Sequence, residues 1–225
     1  MSAQDVTDLR SSVVEVCRRA SAQGLVVGTA GNVSAREGRS VAVTATGADF
    51  ASIDLEHVVV VDPEGRLVEG ELEPTSELGL HLDLHRAAAT EPRGAVVHTH
   101  APVSTAMSTV LRELPCIHYQ QLLLGGTVRV APYATFGTPE LAAHVATALE
   151  GRQAALMANH GSVAVGPTPV AALEHALLLE WLCTVYRDAS VVGTPAVLDD
   201  EQQEAVVRAA VERRYGTTRP AQEAP

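Results

Sequence analysis

The chain has 225 residues, 46% of them hydrophobic, which is enough for one sizeable core. A formal net charge of -11 gives it no electrostatic footprint for nucleic acid or an anionic membrane. Asp5 and Asp8 stand where a secretory signal needs an apolar core, and no apolar run approaches the ~18 residues of a membrane span, so a cytoplasmic protein is expected.

Residues 5–23 place Val6, Leu9, Val13, Val16, Cys17 and Ala20 at helical spacing, and Gly24 supplies a stop. Gly28–Ser34 is expected to form a small glycine-rich turn. Residues 41–46 alternate like a strand that ends at Gly47. Val58–Val61 is a second strand, closed by the turn-forming Asp62-Pro63-Glu64-Gly65. Pro74-Thr75-Ser76-Glu77 opens a helix expected to reach about Thr90. Ala95–His100 is a short buried strand. Thr138 caps a helix that has Pro139 in its first turn, and Gly151 follows that helix. Residues 154–159 and 162–165 are strands on either side of His160-Gly161. Residues 168–189 form a long apolar helix, residues 199–214 an amphipathic one, and residues 219–225 are frayed. Strands and helices on one core, with no repeat and no linker, predict an α/β domain over residues 1–225 with a flexible tail at 217–225.

Two compositional facts narrow the chemistry. Cys17, Cys116 and Cys183 are odd in number and far apart, so they form neither a disulfide framework nor a cysteine zinc site. They are expected to be small buried apolar residues. There is no lysine, and all 16 basic residues are arginine. That excludes a P-loop lysine, pyridoxal phosphate chemistry and any lysine Schiff base. A carbanion formed by such a chain needs another electron sink, and a metal ion is the candidate.

His98-Thr99-His100 carries that candidate. Side chains two apart on a strand point the same way, so both imidazoles leave one face at the strand's end. Imidazole suits zinc, iron, nickel and copper. His160, followed by the small Gly161, sits at a break between strands, and Glu77 begins a helix. Three histidines and one glutamate would give a zinc ion a fourth ligand that can leave it and act as a base. Spacing alone does not bring these four together. A second cluster suits phosphate: the turn at 28–34, Thr46-Gly47, and Thr75-Ser76 at a helix start, where backbone donors and the helix dipole favour an anion. Glu77, His81 and His85 recur at i, i+4 and i+8. A second metal site there is conceivable, but His81 is expected to be packed or beside the site and His85 to lie on the surface. His57, His144 and His175 are expected to be structural. Trp181 and its leucine neighbours are expected in a core or subunit-contact helix.

Six motifs occur together: Thr29-Ala30-Gly31-Asn32-Val33-Ser34, Thr46-Gly47, Pro74-Thr75-Ser76-Glu77, His98-Thr99-His100, Tyr133–Thr138 and Asn159-His160-Gly161. Their order and spacing resemble the class II aldolase/adducin-head family over roughly residues 5–215. The resemblance implies a three-layer α/β/α fold with a mostly antiparallel central sheet flanked by helices. It also implies a cyclic homotetramer with sites between subunits. By motif it makes His98, His100, His160 and Glu77 zinc ligands, with another divalent transition metal possible. Glu77 is also the catalytic acid/base. Gly31, Asn32, Thr46, Gly47, Thr75 and Ser76 become the phosphate pocket. Ile117-His118-Tyr119 would place Tyr119 in a neighbouring subunit's site as a second catalytic group, with His118 in support. Phe136 would line the aldehyde end, and Tyr215 of Tyr215-Gly216 is a weaker substrate-binding match.

The implied function is reversible cleavage of a ketose 1-phosphate, like L-fuculose 1-phosphate, to dihydroxyacetone phosphate and a small aldehyde. Alternatives within the family are a ketopentose-phosphate 4-epimerase, which typically has aspartate where Glu77 stands, and a methylthioribulose-1-phosphate dehydratase or aldolase. A non-catalytic adducin-like interaction domain is more distant, because such heads lack the metal set.

Overall fold

The computed structural model describes residues 3–87 and 94–213. The expected tail, Tyr215 and the expected helix end at Thr90 lie outside them. Nine strands form one sheet: β1 (Gly31–Glu37), β2 (Ser40–Thr44), β3 (Val58–Val61), β4 (Leu67–Glu69), β5 (Ala95–Thr99), β6 (Glu113–Leu114), β7 (Val128–Ala131), β8 (Ala154–Met157) and β9 (Gly161–Gly166). Their order is β4-β3-β2-β1-β5-β9-β8-β7-β6. Every pairing is antiparallel except β7 with β8. The helices are α1 (Ala3–Ala22), α2 (Leu78–Ala87), α3 (Pro102–Ser108), α4 (Pro139–Ala148), α5 (Pro169–Val192) and α6 (Asp200–Arg213).

Both faces of the sheet are covered, as the three-layer expectation requires. On one face, residues such as Val33, Ala35, Val97 and Leu156 pack with Val13 and Cys17 of α1 and Leu173, Leu179 and Leu182 of α5. On the other, Val96, Ala155, Met157 and Val163 pack with Leu80 and Leu84 of α2 and Leu141 and Val145 of α4. Val41, Val43, Val59 and Val61 continue that second face against Leu82. This double cover explains Val58–Val61, four successive valines that are all buried. Each fully buried side chain of this size stabilises the fold by roughly 1.5–3 kcal/mol. All three cysteines are buried and free, as expected.

Capping follows the sequence. Thr138 and Thr168 accept from Leu141 N–H and Ala171 N–H, each with proline just inside the helix. Two expectations fail. The glycine-rich turn ends at Ala30, because Gly31–Glu37 is the strand β1, paired on both sides. The helix expected from Pro74 starts at Leu78, after a turn. Among the described residues no helix is long and apolar enough to cross a membrane.

Candidate active site and metal centre

β5 sits at the middle of the sheet, between β1 and β9. Its pairing sets Asn32 opposite His98, and Val163 opposite His98 on the other side. The β8–β9 turn then carries Asn159 and His160 to the end of the same strands. Asn159 adopts φ 54°, the left-handed region that asparagine tolerates better than most residues. A Cβ on Gly161 would lie 2.5 Å from the Thr99 carbonyl oxygen and 3.1 Å from the His100 ring. Glycine at 161 therefore lets the turn close onto β5. Gly31, at φ 153°, makes the equivalent approach on the other flank, where a Cβ would lie 2.9 Å from the His98 carbonyl oxygen.

The result is a triangle of imidazoles. Ring centroids of His98, His100 and His160 are 4.8, 4.9 and 4.9 Å apart, and one ligand nitrogen from each lies within 4.8 Å of the others. His98 Nδ1 donates to the Ser162 carbonyl oxygen at 2.8 Å, which fixes its ring and turns Nε2 toward the centre. Nε2 of His98 and of His100 are 3.0 Å apart. Glu77 closes the group from the turn before α2. Its Oε2 is 3.2 Å from His98 Nε2, and its Oε1 is 3.6 Å from His160 Nε2. So the four residues proposed from distant parts of the sequence do meet, and Glu77 and His98 are buried.

Burial works to raise the Glu77 pKa, but the charge and hydrogen bond of His98 and the amide of Asn32 override it. The carboxyl is held well below the usual carboxylate range. His100 is pushed down to about 4 by burial and by the neighbouring His98 and His160. His160 is lowered by burial and by His98. His98 moves upward: its burial disfavours charge, and Glu77 outweighs that. Glu77 Oε1 is buried and has no hydrogen-bond partner among the described residues. An ionised carboxylate oxygen left so costs several kcal/mol in isolation. Three inward imidazoles, one oriented by a backbone carbonyl, and an unsatisfied carboxylate oxygen fit a divalent transition metal.

Glu77, His100 and His160 of this cluster form one wall of a cavity of about 470 Å³, a size suited to a small ligand. Gly31, Asn32, Thr46, Gly47, Thr75, Ser76 and Phe136 also line it, with Thr29, Tyr133 and Asn159. A bridge between Ala45 and Pro74 brings the Thr46-Gly47 and Thr75-Ser76 turns side by side. The anion-binding expectation needs one adjustment. Thr46 N–H is bound to Glu73 O and Thr75 N–H to Thr44 O. At these two positions the hydroxyls, not the backbone amides, are left to face an anion.

Tyr119 stands apart from the cavity. It opens a 3-10 helix over Tyr119–Leu124 whose cap is His118, accepting from Gln120 N–H. Tyr119 is 41% exposed and lines an apolar cavity with Val206, Val207 and Ala210 of α6. The His118 ring packs on Tyr119 and, edge-on, on Trp181. His175 and His144 donate from Nδ1 to the carbonyl oxygens of Val165 and Pro132, and His57 pairs with Asp54. His85 departs from its expected surface position: it is 2% exposed, beneath β1.

Residues 11–187 match the family model for the class II aldolase and adducin N-terminal domain. The chain belongs to that family, and it is a class II aldolase, an aldehyde-lyase. Among curated relatives, the 5-methylthioribulose-1-phosphate/5-deoxyribulose-1-phosphate aldolase of Rhodospirillum rubrum is 38% identical over 200 residues, 88% of this chain and 89% of that protein. The L-fuculose phosphate aldolase of Escherichia coli K12 is 38% identical over 196 residues, 86% of this chain and 90% of that one. A solved structure of an L-fuculose 1-phosphate aldolase superposes with a TM-score of 0.85 at 34% identity, covering 93% of this chain and 97% of its own.

Proposed function

We propose that this aldolase reversibly cleaves a ketose 1-phosphate, of the L-fuculose 1-phosphate or 5-deoxyribulose 1-phosphate kind, to dihydroxyacetone phosphate and a small aldehyde. His98, His100, His160 and Glu77 would hold zinc or another divalent transition metal. The observation that carries this reading is the buried Oε1 of Glu77, without a hydrogen bond among the described residues, facing the histidines at one wall of a hydroxyl-lined cavity. The named relatives act on substrates of this class.

When bound, the metal supplies positive charge for the oxygen anion that forms as the carbon–carbon bond breaks, a role that a lysine-free chain cannot give to an imine. In the condensation direction, ionised Glu77 removes a proton from the hydroxylated carbon of dihydroxyacetone phosphate. The Tyr119 hydroxyl of a neighbouring copy gives a proton to the aldehyde oxygen as the new bond forms. Cleavage reverses both transfers. The phosphate lies among Gly31, Asn32, Thr46, Gly47, Thr75 and Ser76. Remote from the breaking bond, it orients the substrate. Phe136 borders the aldehyde. A Tyr119 supplied by a neighbouring copy requires an oligomer with sites between subunits, which in this reading is a homotetramer.

The test is condensation. Zinc-loaded protein is incubated with dihydroxyacetone phosphate and lactaldehyde, acetaldehyde, methylthioacetaldehyde or glycolaldehyde, and the ketose products are identified. At least one ketose 1-phosphate is expected. No condensation with any aldehyde, together with epimerisation of a ketopentose phosphate, would replace this reading with the epimerase one.

A further inference from the structure

β1 and α2 are zipped by a polar ladder of which the aldol mechanism uses only the Glu77 and Asn32 end. Asn32, Ser34 and Arg36 alternate on β1 toward α2, while Glu77, His81 and His85 follow at every fourth residue. Two strand residues rise about 6.6 Å and four helical residues about 6 Å, so the rungs stay in step. Asn32 Nδ2 donates to Glu77 Oε2 at 2.9 Å. Asn32 Oδ1 lies 2.5 Å from His81 Nε2. Ser34 Oγ lies 2.7 Å from His81 Nδ1 and 2.8 Å from His85 Nε2. Arg36 closes the far end by donating to the His85 carbonyl oxygen at 2.7 Å.

Proton positions follow from the carboxylate outward. Ionised Glu77 can only accept, so Asn32 must turn its NH2 toward it and its oxygen toward His81. His81 therefore carries its proton on Nε2. It is wholly buried and its ring bonds go to Asn32 and Ser34 rather than to a carboxylate, so a charged ring there would have no counter-ion, and the neutral ring's Nδ1 must accept. Ser34 then donates to His81 and accepts from His85 Nε2–H. Every bond in the chain points toward Glu77.

We propose that Ser34, His81 and His85 are positioning residues that lock the Asn32 amide with its N–H groups toward Glu77 and the cavity. With Oε2 held by Asn32, Oε1 is the carboxylate oxygen left to work, and Asn32 offers donors rather than lone pairs to an anionic substrate. The functional consequence rests on the reading of Glu77 as the acid/base; the proton pattern does not.

Neutron diffraction from crystals of the metal-loaded protein in D2O tests the pattern directly. Deuterium on His81 Nε2 with a bare Nδ1 is expected; deuterium on Nδ1 overturns the proposal whatever the enzyme's activity. A pair of variants tests the consequence. The His81→Gln amide can reach Asn32, whereas the His81→Asn amide reaches only Ser34. His81→Asn is expected to lose about tenfold in kcat/KM, the effect of one hydrogen bond in a charged network, with His81→Gln restoring most of it. Equal loss in both variants, or loss that tracks only their melting temperatures, overturns the proposal. A wild-type protein that condenses no aldehyde refutes the aldolase reading instead and leaves the neutron result standing.

Discussion

The metal cluster and the Tyr119 face are built in opposite ways. His98, His100, His160 and Glu77 converge within one chain at the end of the three central strands, with His98 and Glu77 buried, His100 and His160 half-buried, and His98 oriented by a backbone carbonyl. Tyr119 sits 41% exposed on a short 3-10 helix beside α6 and does not line the cavity. In the proposed mechanism the chain thus carries its own electron sink and carbon base but borrows its aldehyde-side proton donor from a neighbour. Pre-organised electrostatics belong on rigid central strands, whereas a group supplied across an interface has to be exposed in the single chain.

The sharpest attack on this contrast is at Glu77. Glu77→Gln should leave most metal binding in place through the three histidines and lower kcat on the order of 10³-fold, as loss of a general base does. Metal analysis beside steady-state rates checks this. Tyr119→Phe should lower kcat on the order of 10²-fold with metal content unchanged. Mixing the two variants through dissociation and reassembly then separates the regions. If Tyr119 serves a neighbour's site, mixed assemblies regain activity that neither parent has. If the site is confined to one chain, the mixture stays inactive. Next in size is the phosphate end. Thr75→Val should raise KM for the ketose phosphate about tenfold, the value of a hydrogen bond to a charged group, with little change in kcat.

The smallest effect is a slope. The unfolded chain protonates His81 near 6.5, whereas the folded chain resists until about 3. The unfolded state binds more protons between those values, so stability falls as pH falls through that window. His81→Gln should flatten the acid side of the stability curve by about 1.4 kcal/mol per pH unit relative to wild type. Urea unfolding from pH 6.5 to 4 measures it, and parallel curves would show that His81 is not held neutral.

Much of the metal cluster was legible in the sequence, because strand alternation by itself puts His98 and His100 on one face. Joining them to Glu77 and His160 needed the family motifs, since 77, 98 and 160 meet only through the register of β5 with β1 and β9. β1 was missed for a physical reason. Its buried positions Asn32 and Ser34 are polar, because they face Glu77 and the histidines of α2 rather than a hydrophobic core, so the strand reads as a polar turn. His85 was misplaced for the same cause: its burial depends on a partner, Ser34, that looks like loop sequence. The three-residue β4, the two-residue β6 and the seven-residue α3 are too short to show a period.

Metal dependence of cleavage tests the central claim most directly. Protein stripped with a chelator should lose ketose 1-phosphate cleavage and regain it with zinc in proportion to the metal bound, up to one ion per chain. His98→Ala should recover neither the metal nor the activity. Full cleavage by metal-free His98→Ala protein would contradict the account.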